Sequence, residues 1–313
     1  MALAPKTTSS YSSAYNRYTD FCSRHQLSPL PLCEDTLILY ITDLSTTNAH
    51  STTKVHLAAI SYFATRHGYP TDFKPFRKLY LLSRGIKRSQ GSRFRKKKRD
   101  AVTPSMLHDI HHQLFSSSTI YEDKLMIWAA LLTAFFGFLR VSEYTSLRKM
   151  SFDPSTTLLL SDITHIDNDH ASILIKASKT DPFRKGVTIT LAANNTILCP
   201  IAALLHYLHH HPTLSGPLFT YTNRRYLTRR DLNTILRKYS TNQLTLSSHS
   251  LRIGAASTAA AMGCPRYMIQ GMGRWSSDCF RDYIRIPRRI IEKTSRKMAS
   301  CSTTIQHFDP DFI

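Results

Sequence analysis

The strongest constraint on how this chain can fold is the stretch from Leu125 to Leu139, which is apolar except for Thr133 and Gly137 and is bounded by Lys124 and Arg140. It is shorter than the ~20 residues that a membrane-spanning helix needs. A helix that is apolar on every side belongs at the centre of a core, with other elements packed around it. The pattern predicts one such helix over 121–139. A chain of 313 residues, 42% of them hydrophobic, can build that core, and its length fits about two domains.

The remaining patterns divide the chain in two. Near the N-terminus, Tyr11, Ala14, Tyr15, Tyr18, Phe21 and Cys22 recur at spacings of three and four, which places an aromatic stripe on one helix face. Such a stripe is expected to be core rather than a platform for stacking bases. Ser28-Pro29-Leu30-Pro31 ends that helix. Further helices are expected through Leu37–Leu44, Val55–Phe63 and Phe76–Ile86, giving a small bundle over 1–88. Composition then changes. Arg84, Lys87, Arg88, Arg93, Arg95, Lys96, Lys97, Lys98 and Arg99 follow one another with no acid between them, so 89–102 reads as a basic linker. Thr103-Pro104 marks a helix start, with Thr103 as the cap. The second domain, 103–300, is expected to hold helices over 104–116 and 121–139. Three antiparallel strands should follow, around Leu158–Ile166, Ile173–Ile175 and Val187–Leu191, with a turn over Lys179–Gly186. Helices return at 200–210, 230–239, twice after Ser248 and at 288–298, ahead of a tail over 301–313. The fold class is mainly α with a small antiparallel sheet, an α+β arrangement in the second domain.

Lys and Arg total 41 against 21 Asp and Glu, a formal charge of +20. That excess calls for a polyanionic partner, either nucleic acid or an anionic membrane surface. Six cysteines without a CxxC pair argue against a zinc knuckle and for a reducing compartment. The polar, Ser/Thr-rich start is not a secretory signal. His108 with His112, and His206 with His209, His210 and His211, invite a metal reading. No metalloprotease glutamate follows the first pair and no third ligand is placed, so these are expected to be solvated or DNA-facing, with no metal and no cofactor.

The chemistry concentrates in three segments: Gly137-Phe138-Leu139-Arg140-Val141-Ser142-Glu143, then His249-Ser250-Leu251-Arg252, then Gly273-Arg274-Trp275 with Tyr283 a little further on. A His and an Arg at i and i+3 share one helix face and can meet one phosphate. A tyrosine in a basic cleft can act as an oxygen nucleophile. With Lys179 in the expected β-turn, the ordered set resembles the tyrosine recombinase (phage integrase) family. Its signature is an Arg followed three residues later by an acid, a β-turn Lys, His-x-x-Arg, a His or Trp, and a Tyr. The phrasing looks most like eukaryotic mobile-element recombinases of the DIRS, Ngaro and Crypton type. Trp275 stands where His is commoner, and it lies one residue closer to Tyr283 than in many bacterial members.

The resemblance implies an N-terminal core-binding domain and a catalytic domain that clamp duplex DNA and assemble as dimers or tetramers through the C-terminal segment, in the nucleus of a eukaryotic host. It implies that Tyr283 attacks a DNA phosphate, giving a 3′-phosphotyrosine and a free 5′ hydroxyl. Arg140 and Arg252 would clamp the phosphate and Trp275 would hold it. Lys179 would protonate the leaving oxygen, His249 would accept the tyrosine proton, and Glu143 would orient its neighbours, His249 included. The basic residues of 84–99, with Arg274, would grip DNA. A domesticated DNA-binding module without chemistry and a type IB topoisomerase-like relaxing enzyme are the competing readings.

Overall fold

The computed structural model describes residues 3–69, 71–94, 99–178, 181, 183–239, 245–286 and 288–299. The chain forms two compact units, Met1–Lys97 and Lys98–Ile313.

The first unit is a four-helix bundle: α1 (Pro5–Arg24), α2 (Glu34–Thr47), α3 (His50–Arg66) and α4 (Arg77–Gln90). The α1 stripe becomes core, as Tyr18, Phe21 and Cys22 pack with Leu37, Tyr40, Ile41, Leu44 and Ile60. Tyr15 stacks on Phe63 with ring centroids 4.5 Å apart. Inside this core the Tyr40 hydroxyl and His56 Nδ1 lie 2.6 Å apart, which satisfies both buried polar groups. Helix α4 continues past the expected Ile86 because Gln90 is useful at its end. The Gln90 amide accepts from His50 N (2.8 Å) and donates to Asn48 O (2.9 Å) and Ser45 O (3.1 Å), closing the α2–α3 junction. Arg84, Lys87 and Arg88 therefore sit exposed on a helix, not in a linker. They line a groove with His50, Lys54 and Tyr80.

The second unit is built around α6 (Tyr121–Phe136), where every residue from Leu125 to Phe135 is buried. Helices α5 (Pro104–Phe115) and α8 (Pro200–His209) join its core, and the Thr103 hydroxyl caps α5 as expected, accepting from Met106 N at 3.2 Å. Strands β1 (Ile163–Ile166), β2 (His170–Ile175) and β3 (Val187–Ala192) form an antiparallel sheet in that order. Ala171, Ile173 and Ile175 alternate inward on β2, the period-2 pattern of a sheet with one buried face. Helices α9 (Arg229–Lys238), α10 (Ser248–Ala261), α11 (Arg266–Met272) and α12 (Arg288–Ala299) follow, with a short α7 (Val141–Tyr144) after α6 and a 3-10 turn (Asp278–Tyr283) before α12. Among the described residues, no helix is long and apolar enough to cross a membrane.

Two glycines set the geometry on which the site depends. Helix α6 stops at Phe136, before the expected 139, because the left-handed Phe138 turns the chain out of the helix, with Leu139 N donating back to Ala134 O (2.9 Å). Gly137 fits before it because a Cβ there would be 2.7 Å from Thr133 O and 2.8 Å from Ile189 Cδ1 of β3. The chain turns there through Phe138 (φ 50°) and releases Arg140 at the start of α7. On α10, Gly254 lets the segment before α5 cross in direct contact, since a Cβ would overlap the Val102 carbonyl. Val102 N donates to Ser250 O (3.0 Å) at that crossing. Helix α10 is thereby sunk into the core, with Ser248 and every residue from Ser250 to Ser257 buried.

Candidate active site

Arg140 opens α7 in extended conformation, and Glu143 is the third residue of that helix. The buried Glu143 accepts from the Arg140 backbone N (2.8 Å, Oε2) and from Arg140 Nη1 (3.0 Å, Oε1). Backbone and side chain of the same arginine are thus fixed by one carboxylate. Glu143 Oε2 also accepts from Arg274 Nη2 at 2.8 Å. Glu143 was expected to orient His249, but its oxygens are taken by two guanidinium groups.

Arg274 was expected on DNA. The structure turns it inward, with a side chain 9% exposed. Besides Glu143 it donates to the carbonyls of Gly137 (3.0 Å) and Phe138 (3.2 Å), the groups left over where α6 ends. Its planar fork suits several acceptors at once, which a lysine could not match.

Arg252 lies on α10 and is completely buried. Its two terminal nitrogens donate to Phe138 O and Gly273 O, so it links the turn before Arg140 to the turn before Trp275. Its guanidinium carbon stands 4.2 Å from the centre of the Trp275 ring. That ring lies directly on Gly273, where any Cβ would overlap it. Three buried donors here, Arg252 Nε, Arg274 Nε and Trp275 Nε1, have no hydrogen-bond partner.

Tyr283 ends the 3-10 turn and is partly buried. Ser257 of α10 holds its backbone, donating to Tyr283 O (3.3 Å) and accepting from Arg285 N (2.8 Å). The Tyr283 ring centroid lies 5.0 Å from that of His249 and 5.0 Å from that of Trp275, and Arg252 Cζ is 5.7 Å away. Arg140, Glu143, His249, Arg252, Trp275 and Tyr283 are therefore gathered at one place from four separate segments.

Around His249 the field is strongly positive. Burial, followed by the charges of Arg99, Arg252, Arg229 and Arg140, pushes its pKa down to about 4, so the imidazole is neutral at pH 7. Burial, and then Arg140, lowers the Arg252 pKa to about 9 while Glu143 opposes the shift, so the guanidinium stays charged at neutral pH. Burial likewise lowers Arg274, with Glu143 opposing. Several cations and a single buried carboxylate whose oxygens are already engaged leave a net positive site suited to a phosphate.

Arg99 was assigned to the linker grip, and it also contributes to the field at His249. Arg229 was not singled out from the sequence. Its available signal was a cation in the first turn of α9, where the helix dipole favours acids. Lys179 and four linker residues, Arg95, Lys96, Lys97 and Lys98, lie outside the described residues. Of the lysines flanking Lys179, Lys176 is paired with Asp162 at 2.7 Å, whereas Lys185 is exposed. Arg93 is exposed, 5.2 Å from the ring of Phe94.

No family model matches the chain. It is 23% identical over 276 residues to an integrase/recombinase XerD homolog of Selenomonas ruminantium, spanning 82% of this chain and 74% of that protein. Its fold is similar to that of the XerH site-specific recombinase bound to palindromic difH substrate in a post-cleavage complex (TM-score 0.59, 15% identity, 86% of this chain and 73% of that one). It is also similar to the Tn1549 transposon integrase in complex with circular intermediate DNA (TM-score 0.58, 12% identity, 95% and 94% of the two chains). A lambda integrase dimer bound to a COC′ core site gives a TM-score of 0.55 at 17% identity, over 92% and 91% of the two chains. The chain thus shares the fold of these recombinases and integrases, and it brings the arginines, histidine, tryptophan and tyrosine of the signature together around one positive site.

Proposed function

We propose that this protein cuts and rejoins duplex DNA at defined sites through a covalent bond between Tyr283 and a DNA 3′ phosphate. One observation carries the reading: the Tyr283 ring stands 5.0 Å from the rings of His249 and Trp275 and 5.7 Å from the Arg252 guanidinium, inside a net positive site.

In the cleavage step Tyr283 Oη forms a bond to phosphorus and the bond from phosphorus to O5′ breaks. The phenolic proton goes to neutral His249. Lys179 gives a proton to O5′, which leaves as a hydroxyl. Arg140 and Arg252 stabilise the negative charge that builds on the phosphoryl oxygens. Trp275 has only its indole N–H to offer, so it holds an oxygen and moves no proton. Attack by a 5′ hydroxyl of another strand reverses each step and restores Tyr283. The phosphodiester energy is kept in the protein–DNA bond, so no ATP is consumed.

The exposed cations of α4, with Arg93 and the linker residues that follow, hold the DNA backbone and supply salt-dependent affinity without reading sequence. Helix α12 buries none of its residues, and its exposed Ile291 and Met298 dock on a neighbouring protomer to form dimers and tetramers. A mobile element is the source of such an enzyme, and the nucleus its place of action in a eukaryotic host.

The test is a nicked suicide substrate carrying the DNA ends of the element, resolved on denaturing gels. The wild-type protein is expected to form a covalent adduct that Tyr283→Phe does not form. An adduct with Tyr283→Phe would assign the nucleophile elsewhere, and binding without any adduct would favour a domesticated module. Joined products from two DNA sites separate a recombinase from a relaxing topoisomerase.

A further inference from the structure

The β1–β2 turn assembles a group of side chains that strand exchange does not use. His165 pairs with Ser172 across the two strands, so His170, two residues before Ser172, falls on the same face of the hairpin. Asp167, two residues after His165, shares that face. It is the solvent side, opposite the buried Ala171 and Ile173. His165 Nε2 lies 2.7 Å from Asp167 Oδ2, and His170 Nδ1 lies 3.4 Å from Asp167 Oδ1. The two imidazole rings are 4.6 Å apart, and one ligand atom from each of the three residues lies within 4.8 Å of the others. The carboxylate is not free to swing, because Oδ1 accepts from the backbone N of Asp169 (2.8 Å) and of His170 (2.8 Å).

We infer that this turn binds one divalent transition-metal ion, of which Zn2+ is the reference case, through His165, Asp167 and His170. Two imidazole nitrogens and one carboxylate oxygen are donors that suit Zn2+, with solvent in the fourth position. Bonds of ~2.1 Å to a tetrahedral ion put neighbouring donors ~3.4 Å apart, which the 3.4 Å His170–Asp167 separation already meets. A small rotation of His165 away from Asp167 completes the site. The bound ion staples β1 to β2 at the end of the sheet opposite the 176–186 connection, so it stiffens the base of the hairpin that carries Lys179. Neither the His108–His112 pair nor the four histidines of 206–211 that draw notice in the sequence belong to this group.

The experiment uses the untagged full chain, titrated with ZnCl2 by calorimetry and with Co2+ by visible absorption, and thermal unfolding with and without zinc. Wild type is expected to bind one equivalent and to unfold at a higher temperature with zinc, since a ligand that binds only the folded state stabilises it. The double variant His165→Ala/His170→Ala is expected to lose at least about tenfold in affinity and to lose the thermal shift. Asp167→Asn keeps an oxygen for the two backbone N–H groups while losing the anionic ligand, so it is expected to weaken binding with the turn intact. His209→Ala/His210→Ala, at the end of α8, is expected to bind as wild type does. Absence of zinc binding by wild type, or one equivalent at unchanged affinity in the His165/His170 variant, overturns the inference. Transfer of the loss to the His209/His210 variant overturns it equally.

Discussion

Replacing Glu143 by Gln removes one charge and almost no volume, so its consequences can be worked out from the contacts already described. The carboxylate answers the Arg140 backbone N, the Arg140 guanidinium and the Arg274 guanidinium, at 2.8, 3.0 and 2.8 Å. A glutamine oxygen can still accept from one or two of these, but its NH2 then faces another donor. Arg140 (14% exposed) and Arg274 (9%) are left as neighbouring buried cations, with fully buried Arg252 beside them. Removing one partner of a buried pair costs about 3–5 kcal/mol, and the acceptor that glutamine retains puts this case near about 3 kcal/mol. Urea unfolding should report that loss as a lower midpoint with an unchanged slope. The site also becomes more positive by one charge, so DNA affinity should not fall, whereas suicide-substrate cleavage should fall because Arg140 is no longer held from both its backbone and its side chain. Glu143→Asp keeps the charge and should recover part of the stability. A loss below about 1 kcal/mol with normal cleavage would refute the reasoning, since it would mean that the arginines hold their places without the carboxylate.

Three further outcomes can be checked independently. Trp275→Phe removes the unpartnered indole N–H together with part of the buried ring that lies on Gly273 and stacks on Arg252, so it should slow cleavage about ten- to a hundredfold and cost about 1–3 kcal/mol of stability; an unchanged rate would place the phosphate away from Trp275. The His249 pKa, about 4 in the fold against 6.5 for a free imidazole, means that the unfolded chain binds the extra proton first on acidification. The His249 contribution is therefore intact above pH 6.5 and lost as pH falls toward 4, and denaturation against pH should be flatter across that window in His249→Gln. Lys179→Ala should abolish cleavage of ordinary DNA yet cleave a substrate whose leaving oxygen is replaced by sulfur, because a thiolate leaves without a proton. Rescue seen with Lys176→Ala or Lys185→Ala instead would move the general acid to that lysine.

The sequence disclosed what depends on order and period. The apolar run had to be the central helix, the stripe from Tyr11 to Cys22 had to face a core, and the three strands stood out as short apolar runs between polar turns, although Leu160–Asp162, read into the first strand, forms a 3-10 turn and β1 begins only at Ile163. The signature residues were legible because each carries its own chemistry at a fixed spacing. What stayed hidden depends on contacts between distant segments. Nothing local to Arg274 says that it meets Glu143, 131 residues away. Nothing in Gly137 announces that Ile189 of β3 leaves no room there for a side chain. Gln90 extends α4 through bonds to residues more than forty positions back. The His165–Asp167–His170 group was overlooked because cross-strand register, rather than helical spacing, brings it together.

The two carbonyls held by Arg252 have a consequence for how such an enzyme can lose its activity. That guanidinium joins the turn carrying Arg140 to the turn carrying Trp275, and it has no exposed surface. Its removal leaves two carbonyls and a cavity behind, so the fold around the site should give way together with the chemistry. Tyr283 is only partly buried and sits at the end of a short turn, so a phenylalanine there costs little stability. A lineage that kept this protein for DNA binding alone could discard the tyrosine hydroxyl freely, but it would be obliged to keep the arginine. Retention of Arg252 in a relative is therefore no sign of catalysis, and if Tyr283 is the nucleophile, as proposed, the clean inactive variant for capturing uncut complexes is made there.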